Sequence, residues 1–588
     1  MPRPQPSLQE VQSLIASGRS DDAEAMLTQL LRREPHAIPV RLLASQFFAG
    51  RGDHARAESH ARAILDANPR DASGLRVLAS VLSALGRHNE AAAALATLTE
   101  LDASDGRSWC VLANELLLAD RLDDAESALD RAVTHAPSHA PCWRDRAQLL
   151  LATGRSRESA ETLDRSLITH PRDAGLAQFL ASTLNYVSDV SPERVAKAHA
   201  LAARLFEADI RHAPHTNAPH PDRALRIGFL SPDLHAHSVS YFLLPLVEHL
   251  DPAALVPHFF WTGKKDDART ERYRRAAGSP DAWHACRTLS TLDLCALIRR
   301  VGIDVLVDLS GHTTGNAMPA FARKPAPIQI SAIGYPNSTG LRSIDARLGD
   351  SIVDPPSLRA DEPLLRVDPC FLCYQPPESS DEDAPRIDDP DRPPTFGSFN
   401  AIQKLNPALL DLWAELLRST PGSRLVFKAD LRLSALAERL IDAFTARGID
   451  RSRLTLLSHA PTPAAGRRHY ASIDVALDTF PYNGTTTTCE ALWMGVPVVT
   501  TPGHSHASRV SASILHAIGL DELVARDPAD YVRVARELVR DRARINTLRH
   551  TLRTRMLDSP LCDAPAYARS FESAIRGLWR AWCMQAAR

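Results

Sequence analysis

Apolar residues recur at helical spacing through the first third of the chain and then give way to short continuous apolar runs, so two kinds of element are predicted in succession. The first third repeats itself. Pro35, Pro69, Pro137 and Pro171 fall on one 34-residue grid interrupted by Ala103; Gly18, Gly52, Gly86 and Gly154 fall on another interrupted by Asp120. Ala79, Ala113, Ala147 and Ala181 share that period, as do Phe48, Leu82, Leu116 and Leu150, then Ala57, Ala91 and Ala125, and Trp109 with Trp143. Each unit reads as a helix pair, with Gly or Asp turning the chain between the helices, Ala letting them approach, and Pro ending the second. From Leu225 the pattern changes. Leu225–Leu230, Val305–Leu309 and Pro327–Gly334 are buried-strand candidates, followed by Thr395–Asn400, Leu425–Phe427, Leu454–Leu457, Asp474–Leu477 and Val496–Thr500, with helical patterns between.

The 34-residue period with these packing positions is that of tetratricopeptide repeats, about five of which are predicted over residues 4–173. Stacked units leave a concave groove, by default a binding surface. One groove position carries Gln46, Ser80, Asn114 and Gln148, either to bond the backbone of an extended peptide or simply as a solvated polar face. The predicted organisation is multidomain, α followed by α/β. It comprises a repeat array (1–190), a helical linker (191–222), a parallel α/β lobe (223–374), an acidic Pro-rich linker (375–394) and a second parallel lobe (395–588). Within the helical linker, a helix at about 193–210 leads into a His/Pro-rich hinge, Arg211–Arg223. Ligands of such lobes sit at the carboxyl ends of the strands.

Composition narrows the partners. With 68 Lys and Arg against 70 Asp and Glu in 588 residues, no basic field favours nucleic acid or an anionic membrane. No run of about 18 apolar residues and no signal-peptide core is present, so a cytoplasmic protein is expected. The nine cysteines are scattered, and Cys370-Phe-Leu-Cys373 has no second pair to complete a zinc site, so buried thiols are expected there.

Three loops that follow predicted strands carry the chemistry. Behind Asn483-Gly484 a helix would open with unpaired N–H groups beside the hydroxyls of Thr485, Thr486, Thr487 and Thr488, a pocket for a diphosphate held without a metal, unless it is an ordinary Thr-capped helix. Glu490, one turn on, can accept from ribose hydroxyls. Lys404, after Asn400-Ala-Ile-Gln403, can meet the charge of a departing diphosphate, unless it merely solvates its loop. In Ser231-Pro-Asp-Leu-His-Ala-His237, His237 is the candidate for an acceptor hydroxyl, because imidazole titrates near neutral pH. His235 and His237 could alternatively share a metal, but no carboxylate triad accompanies them, and the acidic string Asp381-Glu-Asp383 lies in the linker.

These segments resemble the tetratricopeptide-bearing protein O-glycosyltransferases, which include O-GlcNAc transferase and plant SPINDLY. The likeness is carried by Leu230-Ser-Pro-Asp233, His237-Ser-Val-Ser-Tyr-Phe242, Lys324-Pro-Ala-Pro-Ile-Gln329, Gly334-Tyr-Pro-Asn337, Phe396-Gly-Ser-Phe-Asn400, Lys404 and the run from Leu477 to Pro497. The resemblance implies a repeat superhelix on a glycosyltransferase of the GT-B type, with two Rossmann-like lobes. It also implies metal-independent, inverting transfer of GlcNAc from UDP-GlcNAc to Ser or Thr of proteins presented by the groove. It assigns His237 and Lys404 to catalysis. Asn400, Gln403, Pro461, Asn483, Gly484, Thr485, Thr486, Thr487, Glu490, Gly334, Tyr335 and Pro336 are assigned to the nucleotide sugar, with no metal and no other cofactor. Three positions depart from O-GlcNAc transferase: Thr485 replaces a histidine near sugar and phosphate, Gln403 a tyrosine, and Pro463 a lysine near the uridine. Gly484–Glu490 and Asp368–Tyr374 read closer to SPINDLY, which the resemblance links to O-fucosyl transfer from GDP-fucose. That is the alternative donor, and a non-catalytic repeat adaptor is the alternative of another class.

Overall fold

The computed structural model describes residues 7–358, 362–377, 392–428, 434–458 and 460–586. Most of the acidic Pro-rich segment predicted at 375–394, including Asp381-Glu-Asp383, lies outside the described residues. The chain divides into two compact units, the first made of residues up to Leu149 with a short segment ending at Leu436, the second of the remainder.

The first unit is helical. Leu8–Ala16, Ser20–Arg33, Ile38–Gly50, His54–Ala67, Ala72–Ala84, His88–Leu101, Gly106–Leu118, Leu122–His135 and the start of Ala140–Ala152 follow one another. The glycine grid has a backbone cause. Gly18, Gly52 and Gly86 take φ of 75°, 79° and 71° in the turns between paired helices, and Asp120, the interruption, takes 58°. That left-handed turn suits Gly, and Asp is among the few side chains that tolerate it. Ala57, Ala91 and Ala125 are fully buried, and Leu82 and Leu116 nearly so, as small and large partners between helices. Gln46, Ser80, Asn114 and Gln148 are all exposed.

The second unit opens with Ser156–Thr169, Ala174–Thr183 and a short 3-10 turn at Leu184–Tyr186, then Pro192–Phe206. Ala174–Thr183 packs on Pro192–Phe206, so one further helix pair follows the five predicted repeats and takes in the predicted linker helix. Seven strands then form a parallel sheet: β1 (Leu225–Ser231), β2 (Leu255–Trp261), β3 (Trp283–Ala285), β4 (Val305–Asp308), β5 (Ile328–Ser331), β6 (Ala346–Gly349) and β7 (Leu364–Arg366), in order β3-β2-β1-β4-β5-β6-β7. Five more, β8 (Thr395–Ser398), β9 (Arg424–Lys428), β10 (Leu454–Leu457), β11 (Val475–Leu477) and β12 (Val498–Val499), form a second parallel sheet in order β10-β9-β8-β11-β12. The α then α/β fold class is borne out. Sequence reasoning missed β2, whose Pro257 argues against a strand, and the short or polar β3, β6 and β7.

Two expectations are corrected. The C-terminal helix Ala564–Ala586, expected in the second lobe, packs against Ser240–Val247, β5 and β7 of the first. It also pins the segment expected to be a hinge. Arg576 Nη1 donates to the carbonyls of Pro221 (2.9 Å) and Arg223 (2.7 Å), and Trp579 Nε1 to that of His220 (3.0 Å). Peptide groups satisfied in this way hold the segment in place.

The turn geometry gives a test. A Cβ at Gly86 meets nothing within 4 Å, so Gly86→Ala isolates the left-handed backbone and should destabilise the protein by about 1–2 kcal/mol in urea unfolding. Gly50→Ala, helical and equally open, should be neutral or slightly stabilising, and equal effects at the two positions would contradict this origin of the grid.

Candidate functional site

Both sheets fan out from a central strand, leaving a crevice at the carboxyl ends of β1 and β4 in one and of β8 and β11 in the other. The loops singled out from sequence leave from these strands: His237 after β1, Asn400 to Lys404 after β8, and Asn483 to Glu490 after β11.

Lys404 is the hub of the second crevice. Its Nζ donates to the Asn483 carbonyl (2.7 Å) and to Asn400 Oδ1 (3.3 Å) and stands 4.5 Å from the Tyr482 ring centre. Asn400 Oδ1 also accepts from Thr487 Oγ1 (3.0 Å), so three predicted residues from two loops share one oxygen. Burial pushes the Lys404 ammonium down to about 8, against the pull of Asp478. The helix after Gly484 runs Thr486–Trp493, and its N-cap Thr485 makes no side-chain cap bond. The ordinary Thr-capped helix is therefore not what forms. First-turn N–H groups left without a cap beside Thr hydroxyls and an ammonium make an anion-binding end. Gly484 is required by packing, since a Cβ there would come within 2.5 Å of Thr487 Oγ1 and 2.6 Å of Thr488 Oγ1. Glu490 is half-buried, and burial raises its carboxyl, opposed by Lys428 and Arg467.

His237 makes its contacts within its own lobe. Its Nδ1 lies 3.8 Å from Asp233 Oδ2, and the His235 ring centre is 5.8 Å away. Burial lowers its pKa, with Asp233 opposing, so the neutral imidazole prevails at neutral pH. Asp267 Oδ2 holds this loop by accepting from Ala236 N (2.8 Å).

Some expected residues are engaged elsewhere. Tyr335 is buried, its hydroxyl accepting from Asn185 Nδ2 (2.8 Å) and lying 2.7 Å from His199 Nε2, so it ties the first lobe to the preceding helices instead of facing a ligand. Gly334 is a close-approach residue, because a Cβ there would stand 1.7 Å from the Leu309 carbonyl, and Pro336 beside it is buried. Gln403 Nε2 donates to the Tyr186 hydroxyl (3.0 Å). Pro461 is exposed ahead of the short helix Pro463–Arg468. The basic loop after β12 turns inward, with His506 Nδ1 2.9 Å from Asp354 Oδ2 and 2.5 Å from Arg347 Nη1. Although burial opposes it, His506 and Arg347 hold the Asp354 carboxyl well below the usual range, so this loop braces one lobe on the other.

Several contributors were not foreseen. Asp478 accepts from Gly484 N (2.7 Å), Thr479 N (2.9 Å) and Thr500 Oγ1 (2.7 Å), fixing the turn that presents the Thr run; its apolar-run context gave no polar signal. Tyr186, beyond the repeats, stacks on Tyr482 at 4.8 Å, a pairing across almost 300 residues that no local pattern reveals. A cavity of about 500 Å³ beside the crevice is lined by Asn185, His199, Asn337, Phe480, Thr501 and His504 among others.

Comparison with known proteins agrees with this architecture. A model of glycosyl transferase family 41 matches residues 195–362 and 386–571, and tetratricopeptide-repeat models match 8–72, 42–108, 76–141 and 116–182. Arabidopsis thaliana SPINDLY, named a probable UDP-N-acetylglucosamine peptide N-acetylglucosaminyltransferase, is 36% identical over 417 residues, 70% of this chain and 45% of that protein. The chain thus spans about half the length of the curated relatives it matches. SEC of the same plant is 27% identical over 373 residues, 61% of this chain and 38% of its own. A solved structure of a variant O-GlcNAc transferase from Thermobaculum terrenum has a TM-score of 0.75 and 32% identity, covering 93% of this chain and 98% of that one.

The position of Lys404 gives a pH prediction. A diphosphate needs the ammonium form, so nucleoside diphosphate affinity should fall as pH rises past about 8, and Lys404→Met should bind weakly without that fall. Calorimetric titrations on either side of that pH decide it; a pH-independent wild type would remove the ammonium from binding.

Proposed function

The chain belongs to glycosyl transferase family 41, and from that premise we propose that it transfers N-acetylglucosamine from UDP-GlcNAc to Ser or Thr hydroxyls of proteins held by the repeat groove. The observation that carries this reading is the Lys404 ammonium, fixed by Asn400 and Asn483 beside the uncapped start of Thr486–Trp493. In the transfer, the acceptor oxygen forms a bond to the anomeric carbon as the bond from that carbon to the diphosphate breaks. The acceptor proton leaves to a base, and UDP departs with added negative charge. Lys404, the helix N–H groups and Thr486 and Thr487 meet that charge without a metal. His237, on the facing lobe and neutral at neutral pH, orients the acceptor hydroxyl. Glu490 accepts from the ribose. Among the described residues no helix is long and apolar enough to cross a membrane, and we place the activity in the cytoplasm.

A second reading, O-fucosyl transfer from GDP-fucose, is favoured at the donor contacts. Gln403 is committed to Tyr186, and Thr485 and Pro463 depart from the O-GlcNAc transferase pattern at the sugar and the base.

Calorimetric titration with UDP, GDP and their sugars in EDTA should show selective uridine binding. Selective guanosine binding would transfer the conclusion to fucose, and no binding would leave a repeat adaptor. Lys404→Ala should keep the fold by circular dichroism and lower transfer by about 10²–10³-fold; near-normal turnover would remove Lys404 from the mechanism. Transfer should survive chelation, and loss in EDTA restored by Mg²⁺ or Mn²⁺ would overturn the metal-free pocket.

A further inference from the structure

At the starts of the first helices in the repeats, three positions of one register carry a capping Asp and two do not: Ala37, whose helix has no side-chain cap, and His139. Asp71, Asp105 and Asp173, on the 34-residue period, each cap their helix by accepting the N–H three residues on, from Gly74, Ser108 and Leu176. At the same register the intervening repeat carries His139, and three residues on stands Cys142. Asp is among the best N-caps and its loss costs about 1 kcal/mol, so the imidazole departs from the cap kept by the repeats on either side of it, at Asp105 and Asp173.

The surroundings supply a reason. Cys142 is fully buried, and its Sγ lies 3.4 Å from Cys110 Sγ on the preceding repeat's helix, Gly106–Leu118. The donor atoms of Cys110, His139 and Cys142 all lie within 4.8 Å of one another, and among the described residues no other three His, Cys, Asp or Glu side chains converge in this way. Gly106 makes the room: a Cβ there would stand 2.7 Å from His139 Cβ and 2.8 Å from its ring, so a side chain at 106 would expel the imidazole.

We propose that Cys110, His139 and Cys142 form a binding site for a thiophilic divalent cation, best matched by zinc, with the fourth position taken by water. Two thiolates on a tetrahedral zinc at about 2.3 Å stand about 3.8 Å apart, so the sulfurs need open by only a few tenths of an ångström. Binding releases the two thiol protons, forms two metal–sulfur bonds and one metal–nitrogen bond, and involves no change of oxidation state. The site lies wholly in the first unit. It staples the starts of two successive first helices, setting the pitch of the array at the fourth and fifth repeats.

The test uses the full chain, reduced and stripped with a chelator, then titrated with Co²⁺ and afterwards Zn²⁺. One equivalent of cobalt should produce thiolate-to-cobalt charge-transfer absorption that zinc abolishes, and zinc should raise the melting midpoint. Cys110→Ser and Cys142→Ser should lose the absorption. Because the buried Cys142 variant could fail to fold, His139→Ala, at a partly exposed side chain, is the second arm; it should keep its helical circular dichroism and lose both saturable cobalt binding and the zinc-dependent shift. The proposal is overturned if the folded protein shows no charge-transfer band. It is equally overturned if His139→Ala binds as the wild type does, or if Cys110 and Cys142 are found as a disulfide and, once reduced, take up no cobalt.

Discussion

A parallel sheet whose connections leave its central strand in opposite directions cannot close over the carboxyl end of that strand, and the chemistry of this protein depends on that gap. The two sheets share one winding order, β3-β2-β1-β4 in one and β10-β9-β8-β11 in the other. Each therefore opens a crevice at the equivalent place. Strands buried on both faces carry the packing, which frees the loops beyond them to hold polar groups that no core would accept. His237 and Lys404 stand on loops that leave the two central strands, β1 and β8.

Holding such loops still requires buried polar anchors, and the two lobes use the same one. Asp308, the last residue of β4, accepts from Ser310 N (3.0 Å), Gly311 N (2.9 Å) and Ser331 Oγ (2.9 Å) on the neighbouring strand. Asp478, directly after β11, accepts from Thr479 N, Gly484 N and Thr500 Oγ1 just beyond its neighbouring strand. Both carboxyls are pushed up by burial, Asp308 to about 6, and both are opposed by these donated bonds. A buried carboxylate persists only where such donors converge, so each one fixes the shape of its turn. The Thr run behind Asp478 is thus preorganised before any ligand arrives, which is the condition for charge stabilisation in a transfer step.

The helical end of the second unit completes the crevices. Tyr186 stacks on Tyr482 beneath Lys404, while Asn185 and His199 bind the Tyr335 hydroxyl. The C-terminal helix supports the first lobe at the other end of its strands, donating to the carbonyls of His220, Pro221 and Arg223 just before β1. Segments far apart in the chain therefore share the support of one site, and a change in the last helix pair would reach the Lys404 environment through these contacts.

The sequence alone determined whatever depends on local period or local backbone. The 34-residue grid specified the helix pairs because each turn needs a left-handed residue, and Asp120 marks the exception that chemistry permits. Apolar runs identified the buried strands at the centre of both sheets, and Asn483-Gly484 with the Thr run identified the helix start at Thr486, because caps and orphan N–H groups are short-range properties. Only tertiary structure decided what depends on distant partners. It showed that Tyr335 and His506 are braces, that Gln403 is bound by Tyr186, and that the C-terminal helix returns to the first lobe. Residues such as Asp478 and Cys110 carry no periodic signal, because burial and long-range contact, not spacing along the chain, give them their neighbours.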